Sequence, residues 1–388
     1  AEFAQKALAY AKVTPVAAEN DATVADGSNT VTFDNLDLGY YLVGSSAGAL
    51  CGLTTTNNEV TIQEKNGVPS VDKKVQEDSK IGTADEWSKN NTADIGQTVK
   101  FQTTITAQPG AQNYVLHDKM GAGLTFDTNS VQVKLKKNGE TTESIVYTSN
   151  YVLKNSGLED PNPGTFHVEF IQTFCDTLKA NDQIIVIYSA TLNESAVIAG
   201  EGNKNNTWLK YGENSNTTHS ETTTKTYSIP VFKYTGTDTP LENAKFELKR
   251  GSETTAIALI KETSVAGTTY TGDIYRVAKN GETGTVQEVT TPASGKFTIK
   301  GLDADTYYLT ETQQPTGYNK LSAPITVVID ENGDIPVGGE ATTEVEVENK
   351  TGSILPSTGG SGTTLIYILG AVLVLGSGVA LITRKRMR

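Results

Sequence analysis

Apolar and polar side chains alternate with a period of two along most of the chain, and this pattern predicts β-strands. Examples are residues 131–135, which read Val-Gln-Val-Lys-Leu, and residues 184–188, which read Ile-Ile-Val-Ile-Tyr. Asn-Gly pairs at 138–139 and 332–333 suit tight turns. Residues 2–12 favour a helix by propensity, and no long amphipathic helix stands out in the part that precedes the C-terminus. We therefore expect an all-β fold of tandem β-sandwich domains, immunoglobulin-like in the broad sense.

An internal repeat relates two parts of the chain. Residues 30–43 recur, with one residue inserted, as residues 297–310, and this alignment sets Tyr40 opposite Tyr307. A repeat implies two related modules. The first module is short, so it is interpreted as the second half of a domain that is cut at Ala1. No signal peptide is found there, so we expect the start of the precursor to be missing.

The C-terminus ends in an apolar run and a basic tail. Residues 365–382 carry no charge and are long enough to cross a bilayer as a helix. Four of the last five residues are basic, which predicts that this end stays in the cytoplasm and that the preceding chain lies outside. A Gly-, Ser- and Thr-rich stretch, 351–364, precedes the run. It contains the pentapeptide Leu355, Pro356, Ser357, Thr358 and Gly359.

These features predict four parts. They are a truncated first domain (1–66), a middle domain (67–228), a C-terminal domain (229–350), and a terminal segment with linker, transmembrane helix and basic tail (351–388).

Composition excludes several classes of function. The chain has 388 residues and a net charge of -13, which argues against nucleic-acid binding because that needs a basic surface. Only two cysteines occur, Cys51 and Cys175, so a disulfide-stapled scaffold is excluded and their pairing stays open. The three histidines, His117, His167 and His219, lack metal-ligand spacing. We expect no enzyme turnover, no metal site and no cofactor.

In the predicted C-terminal domain, three polar residues occupy positions that the period-two alternation assigns to the inward face of a strand. They are Lys233, Glu311 and Asn349. Lys233 continues the phase of Val231, and Asn349 continues that of Val347. A single buried lysine or carboxylate would be unfavourable. We therefore interpret the three side chains as parts of one site.

Burial can make such a set reactive. A desolvated lysine has a lowered pKa and can be a neutral nucleophile, while a desolvated carboxylic acid can stay protonated and donate a hydrogen bond. The amine would attack the asparagine carboxamide, ammonia would leave, and an isopeptide bond would remain. The product removes the buried charge.

Residues 307–318, Tyr-Tyr-Leu-Thr-Glu-Thr-Gln-Gln-Pro-Thr-Gly-Tyr, resemble the E-box of Gram-positive pilins within a collagen-adhesin B-type domain. The resemblance implies a Lys233–Asn349 isopeptide bond, with Glu311 as the assisting acid. In the first module the alignment sets Gly44 opposite Glu311, so no isopeptide bond is expected there unless residues upstream of Ala1 supply an acid.

The middle domain carries a second set of this kind. Lys73, Asp118 and Asn205 each continue an apolar phase. Residues 114–124 resemble a strand of pilin middle domains, related to collagen-adhesin A-type folds, and residues 203–211 resemble their closing strand. The resemblance implies a Lys73–Asn205 bond assisted by Asp118. The neighbouring asparagines at 203 and 206 remain competitors.

The pentapeptide, the apolar run and the basic tail together resemble the cell-wall sorting signal of Gram-positive surface proteins. This resemblance implies that a sortase cleaves between Thr358 and Gly359 and joins Thr358 to an amine. Residues 60–66 sit where shaft pilins carry a lysine motif, although Gln-Glu replaces Tyr-Pro before Lys65. The acceptor amine is therefore expected to be Lys65 of the next subunit, with an ordinary solvated lysine as the alternative.

The resemblance implies a pilus shaft subunit, covalently polymerised, anchored to peptidoglycan on the cell surface and held in the membrane only as a precursor. Its partners would be a sortase, other pilin subunits and a host surface ligand whose identity stays open. The alternative is a wall-anchored or pilus-end adhesin that binds a host ligand and is not itself polymerised.

Overall fold

The computed structural model describes Tyr10 and residues 30–43, 49–53, 59–62, 67–108, 112–156, 164–212, 215–263, 270–337 and 340–352. Lys65, the pentapeptide and, apart from Tyr10, the helix expected at 2–12 lie outside the described residues. The expected membrane span, 365–382, lies outside them too. Within the described residues, no helix has the length and apolar character needed to cross a bilayer.

The first described sheet is a hairpin that shows how the two repeats correspond. Strand β1 (Gly39–Val43) pairs antiparallel with β2 (Ala49–Leu53). The Tyr41 hydroxyl donates to the Asp37 carbonyl at 2.6 Å, and the Tyr307 hydroxyl donates to the Asp303 carbonyl at 2.9 Å. Tyr41, rather than Tyr40, is therefore the counterpart of Tyr307.

The one-residue insertion in the sequence alignment was therefore wrong. Asn35 and Gly301 both have positive φ, 59° and 80°, as expected of equivalent positions in an ungapped alignment. Tyr40 is 95 % exposed, unlike the buried Tyr307. The alignment by sequence matched Tyr40-Tyr41 to Tyr307-Tyr308 as a pair. That match needed an inserted residue, whereas matching Tyr41 alone to Tyr307 needs none. Ser45, rather than Gly44, then stands opposite Glu311, and neither residue is an acid.

Residues 70–225 form a sandwich of two sheets, here called the middle sandwich. The first sheet has the order β10-β9-β13-β6-β3-β4 with β8 on β13, and the second has the order β11-β12-β7-β14-β16-β5 with β15 on β14. The strands are β3 (Ser70–Gln76), β4 (Trp87–Ser88), β5 (Asn90–Thr92), β6 (Thr98–Thr106), β7 (Val115–Met120), β8 (Leu124–Phe126), β9 (Gln132–Lys136), β10 (Ser144–Ile145), β11 (Tyr151–Lys154), β12 (Phe166–Phe170), β13 (Gln183–Leu192), β14 (Asn203–Tyr211), β15 (Ser215–Asn216) and β16 (Ser220–Lys225). A short helix, α1 (Gln172–Cys175), and the 3-10 turns Asp78–Lys80 and Thr148–Asn150 complete it.

Residues 227–348 form the C-terminal sandwich. One sheet has the order β18-β17-β23-β21-β20 with β28 on β17, another has the order β22-β19-β24-β25, and β26 pairs with β27. The strands are β17 (Tyr227–Thr235), β18 (Thr239–Pro240), β19 (Lys245–Arg250), β20 (Leu259–Glu262), β21 (Asp273–Val277), β22 (Val289–Thr290), β23 (Lys296–Leu302), β24 (Thr306–Gln313), β25 (Ile325–Val328), β26 (Ile335–Val337), β27 (Glu340–Thr342) and β28 (Val345–Glu348).

Strand alternation builds each core. In β6, Val99, Phe101, Thr103 and Ile105 are buried while the residues between them are exposed or half-buried. Each sandwich has its own cluster of buried apolar side chains. The expectation of an all-β chain of sandwich domains is confirmed for the described residues.

A charged contact joins the two sandwiches. The Arg250 Nη2 donates to both carboxylate oxygens of Asp94, at 2.6 and 2.5 Å, and the backbone N–H of Asp303 donates to the same carboxylate at 2.8 Å. Beside it, the Ile95 N–H donates to the Gly301 carbonyl at 3.0 Å. A Cβ at Gly301 would lie 2.6 Å from the Ile95 side chain, so the close approach needs glycine.

We predict that Arg250→Ala lowers the free energy of unfolding by about 1.5–3 kcal/mol, since it leaves the partly buried Asp94 carboxylate without its strongest partner. Denaturant titration measures the change. The matched control is Lys279→Ala, which removes the more exposed contact with Glu194 between the same sandwiches and should have an effect of under ~1 kcal/mol. Equal effects of the two substitutions would contradict this account of the joint.

Candidate functional site

The C-terminal sandwich brings Lys233, Glu311 and Asn349 together inside its core, and none of them is more than 1 % exposed. The Lys233 Nζ donates to the Asn349 Oδ1 and, at 3.1 Å, to the Val347 carbonyl. The Asn349 Nδ2 donates to the Glu311 Oε1 at 2.8 Å, and the same oxygen lies 3.7 Å from the Lys233 Nζ. The second Glu311 oxygen accepts from the Leu321 N–H at 2.8 Å. We call these three residues the C-terminal cluster.

Strand order explains how residues so far apart in sequence meet. Strands β17 and β28 pair in parallel with Lys233 opposite Val347, and the Asn349 N–H continues the pairing to the Tyr234 carbonyl at 3.0 Å. Glu311 lies on β24 of the opposing sheet and reaches across the core. The cluster thus joins the first strand of this sandwich to its last and contacts both layers.

Burial controls the charge of the lysine. Desolvation lowers the pKa of Lys233 to about 8, against the opposing attraction of the Glu311 carboxyl. A neutral amine is therefore accessible close to neutral pH.

The middle sandwich brings together Lys73 on β3, Asp118 on β7 and Asn205 on β14, all of them 0 % exposed. The Lys73 Nζ donates to the Asp118 Oδ2 and to the Tyr188 hydroxyl oxygen. The Tyr188 hydroxyl in turn donates to the Asp118 Oδ2, and it accepts from the Asn205 Nδ2 at 3.4 Å. We call Lys73, Asp118 and Asn205 the middle cluster.

Two buried side-chain oxygens in this cluster accept no hydrogen bond. They are Asp118 Oδ1 and Asn205 Oδ1. Desolvation raises the pKa of Asp118, partly offset by the nearby Lys73 charge, and desolvation lowers the pKa of Lys73 to about 8. Both shifts favour a neutral amine beside a neutral acid over a buried ion pair.

Neighbouring asparagines are engaged elsewhere. The Asn203 Nδ2 donates to the carbonyls of Val197 and Thr224, each at 3.2 Å, and its Oδ1 accepts from the Val197 N–H. The Asn206 Nδ2 donates to Glu221 at 3.2 Å on the opposite face of β14. Asn205 is therefore the asparagine that shares the Tyr188 hydroxyl with Lys73.

The strands that the middle cluster joins differ from those expected. Lys73 lies on the first strand of the sandwich, but Asn205 lies on β14, and β15 and β16 follow it. The resemblance of residues 203–211 to a closing strand implied that the Lys73–Asn205 pair joins the first strand of the domain to its last, and this was wrong. Strand β16 instead continues the sheet beyond β14 and pairs in parallel with β5.

Sequence reasoning missed Tyr188 as part of this site. Its strand was recognised, and Tyr188 shares its inward phase with Ile184 and Val186. A tyrosine at an inward strand position signals a hydroxyl that needs a buried partner. The Lys73 Nζ also lies 5.0 Å from the Tyr188 ring centroid and 5.4 Å from that of Phe101.

The histidines, far apart in sequence, meet in the structure. His117 lies 3.9 Å from His167 and 4.9 Å from Trp208 between ring centroids, and Trp208 stacks on His219 at 4.8 Å. Among the described residues, no group of three or more His, Cys, Asp or Glu side chains could hold a metal ion. Cys175 is buried in the core of the middle sandwich, and Cys51 has no described side chain.

Comparison with known proteins identifies relatives of this chain. Residues 228–343 match the SpaA family, described as a prealbumin-like fold domain. The chain is 26 % identical over 267 residues to the trypsin-resistant surface T6 protein of Streptococcus pyogenes serotype M6, covering 66 % of this chain and 44 % of that protein. It is 25 % identical over 373 residues to fimbrial subunit type 1 of Actinomyces viscosus, covering 85 % and 66 % of the two chains.

Solved structures share the fold. The full-length major pilin RrgB of Streptococcus pneumoniae superposes with a TM-score of 0.52 at 15 % identity, covering 80 % of each chain. A 35 kDa C-terminal fragment of a major pilin of Streptococcus agalactiae superposes with a TM-score of 0.51 at 19 % identity, covering 73 % of this chain and all of that fragment. Residues 228–343 are therefore similar to the prealbumin-like domains of the SpaA family, in an all-β chain whose curated relatives are named as a surface protein and a fimbrial subunit.

Proposed function

We propose that the chain is a structural subunit of a covalent pilus shaft on a Gram-positive cell surface, stiffened by isopeptide bonds Lys73–Asn205 and Lys233–Asn349. The observation that carries the proposal is the recurrence of one arrangement, a buried lysine beside an acid and an asparagine, in two separate sandwiches. Similarity to a fimbrial subunit and to a surface protein supports it.

The chemistry uses only groups of the chain. The neutral Lys233 Nζ attacks Cγ of Asn349 and a new C–N bond forms. One proton passes from Nζ to Nδ2, the Cγ–Nδ2 bond breaks, and ammonia leaves. A half-turn of the Asn349 carboxamide would set its Oδ1 against the Glu311 carboxyl. In its protonated form, that acid stabilises the oxygen as negative charge develops. In the middle cluster, the Lys73 Nζ would attack Cγ of Asn205 without such a turn, and Asp118 would be the assisting acid.

Such bonds would alter how tension passes through the subunit. Force entering at Lys73 would cross directly to Asn205, and force reaching Lys233 would cross directly to Asn349. The intervening segments 74–204 and 234–348 would carry no load. Only the connecting segment 206–232 would remain extensible within the sandwiches.

Polymerisation would use the C-terminal signal. A sortase would cleave after Thr358 and join its carboxyl carbon to the Lys65 amine of the next subunit, and the last subunit would be joined to peptidoglycan. The apolar segment 365–382 would hold the precursor in the membrane until then. The sequence of the sorting signal supports this assignment.

We predict that the intact mass of the purified protein is lower than its sequence mass by two ammonia molecules. Glu311→Ala should restore one of them, since losing a general acid slows such reactions by about 100-fold or more. Mass spectrometry with peptide mapping assigns each crosslink. Glu346→Ala, which removes an exposed acid from β28, the strand that precedes Asn349, is the control and should keep both bonds. An unshifted wild-type mass would exclude the isopeptide bonds.

We predict that an unreacted middle cluster becomes more stable as pH rises from 8 to 10. In Asn205→Ala, Lys73 keeps its amine, with a folded-state pKa of about 8 and an unfolded value of 10.5. Between these values the unfolded chain binds the proton and the folded chain does not. Stability should therefore rise by about 2 kcal/mol in this window.

Urea titrations at pH 8 and pH 10 measure this change. The double variant Asn205→Ala, Lys73→Met lacks the titrating amine and should show a correspondingly smaller rise. If the two proteins respond equally to pH, Lys73 keeps an ordinary pKa and is no neutral nucleophile at moderate pH.

We predict that incubation with the cognate sortase builds a covalent ladder of subunits on a denaturing gel. Lys65→Ala should abolish the ladder, because the acceptor amine is gone. Lys74→Ala, which removes a half-buried lysine in the next strand, should leave it intact. A ladder that persists in Lys65→Ala would place the acceptor elsewhere, and a wild-type protein that stays monomeric would favour the adhesin alternative.

A further inference from the structure

The Tyr188 hydroxyl lies between all three groups of the middle cluster. It accepts from the Lys73 Nζ, donates to the Asp118 Oδ2 and lies 3.4 Å from the Asn205 Nδ2. The side chain is fully buried, and its ring is fixed by stacking on Phe101 at 5.6 Å and by an edge contact with Phe166 at 4.9 Å. A rigid hydroxyl thus connects the nucleophilic nitrogen with the nitrogen that must leave.

The C-terminal cluster achieves the same connection without such a bridge. There the Glu311 Oε1 accepts directly from the Asn349 Nδ2 at 2.8 Å and lies 3.7 Å from the Lys233 Nζ. Asp118 is shorter than glutamate by one methylene group. The Asn205 side chain favours the Asp118 carboxylate electrostatically. The hydrogen bonds of Asp118 within the cluster nevertheless go to Lys73 and Tyr188, and the leaving nitrogen donates to the tyrosine oxygen at 3.4 Å.

We propose that Tyr188 is a catalytic residue of the middle isopeptide bond, which relays a proton from the Lys73 amine to the departing nitrogen of Asn205. The proposal rests on the isopeptide function proposed above. As Nζ bonds to Cγ it gives a proton to the tyrosine oxygen. Attack at Cγ frees the lone pair of Nδ2, and the tyrosine O–H turns from the Asp118 Oδ2 to Nδ2 and gives it a proton. The Cγ–Nδ2 bond then breaks and ammonia leaves, with Tyr188 and Asp118 unchanged at the end.

The surroundings require the two transfers to be coupled. Burial raises the pKa of Tyr188 well above its ordinary value, so a separate phenolate is unfavourable. A relay in which one proton arrives as another departs avoids that charge. It also explains why an inward strand position carries a hydroxyl where phenylalanine would pack equally well.

Tyr188→Phe tests the relay because it removes only the hydroxyl. We expect the Lys73–Asn205 bond to form about 100-fold more slowly or not at all, so that freshly purified protein has lost one ammonia instead of two. The Lys233–Asn349 bond in the same molecule is an internal control. Tyr114→Phe is the matched control, because it removes another fully buried hydroxyl from the same core and should keep both bonds.

A second variant separates catalysis from packing. In Tyr188→Phe, Asp118→Glu, the longer acid can reach Asn205 directly, as Glu311 reaches Asn349, and the bond should form again. Failure of this rescue in a protein with native circular dichroism would overturn the relay. So would a Tyr188→Phe protein that loses two ammonia molecules at the wild-type rate.

Peptide mapping of the wild type distinguishes the two proposals. If Lys73 and Asn205 are unlinked there, the proposed crosslink fails and the relay fails with it. If they are linked in the wild type and linked equally fast in Tyr188→Phe, only the relay is wrong.

Discussion

The two sandwiches are organised around the burial of a lysine amine. A charged ammonium in an apolar core is strongly unfavourable, and a single buried carboxylate compensates it only in part. Lys73 and Lys233 are both fully buried, and desolvation lowers the pKa of each to about 8. An amide bond to a neighbouring asparagine would remove the charge altogether. The same physical penalty that makes the lysine unfavourable as a cation makes it competent as a nucleophile.

The two clusters place the buried lysine, the acid and the asparagine on strands that are arranged differently. In the C-terminal sandwich, the lysine and the asparagine lie on adjacent parallel strands, and the acid comes from the opposing sheet. In the middle sandwich, the lysine lies in one sheet, while Asp118 and Asn205 lie in the other. The proposed middle bond therefore crosses the core, whereas the C-terminal bond joins neighbouring strands of one sheet.

The joint between the sandwiches adds a third element to the mechanical picture. The proposed crosslinks leave the segment 206–232 in the path of force, and this segment enters the joint region through β16 and β17. Fully extended, it would span roughly 90 Å at about 3.3–3.6 Å per residue. The Asp94–Arg250 contact and the Ile95–Gly301 pairing hold the sandwiches together while that segment stays folded.

Local sequence was sufficient for much of the interpretation, and its failures have specific causes. Period-two alternation predicted which of Lys73 and Lys74 faces inward, because adjacent residues of a strand point to opposite sides. It could not align the repeats across Tyr40 and Tyr41, since a tyrosine pair matches in two registers. The hydrogen bond from Tyr41 to Asp37 resolved that register.

The sequence by itself determined the all-β class, the inward phase of the lysines, acids and asparagines, and the chemical potential of those groups. These properties depend on neighbours along one strand. Only the tertiary structure decided that Asn205 rather than Asn203 shares the Tyr188 hydroxyl with Lys73, and that β16 follows the strand that carries Asn205. Such properties depend on which strands are adjacent across a sheet or across the core. Strand pairing brings together residues that are more than a hundred positions apart. The alternation within one strand does not depend on which strand it pairs with, so it cannot predict the partner.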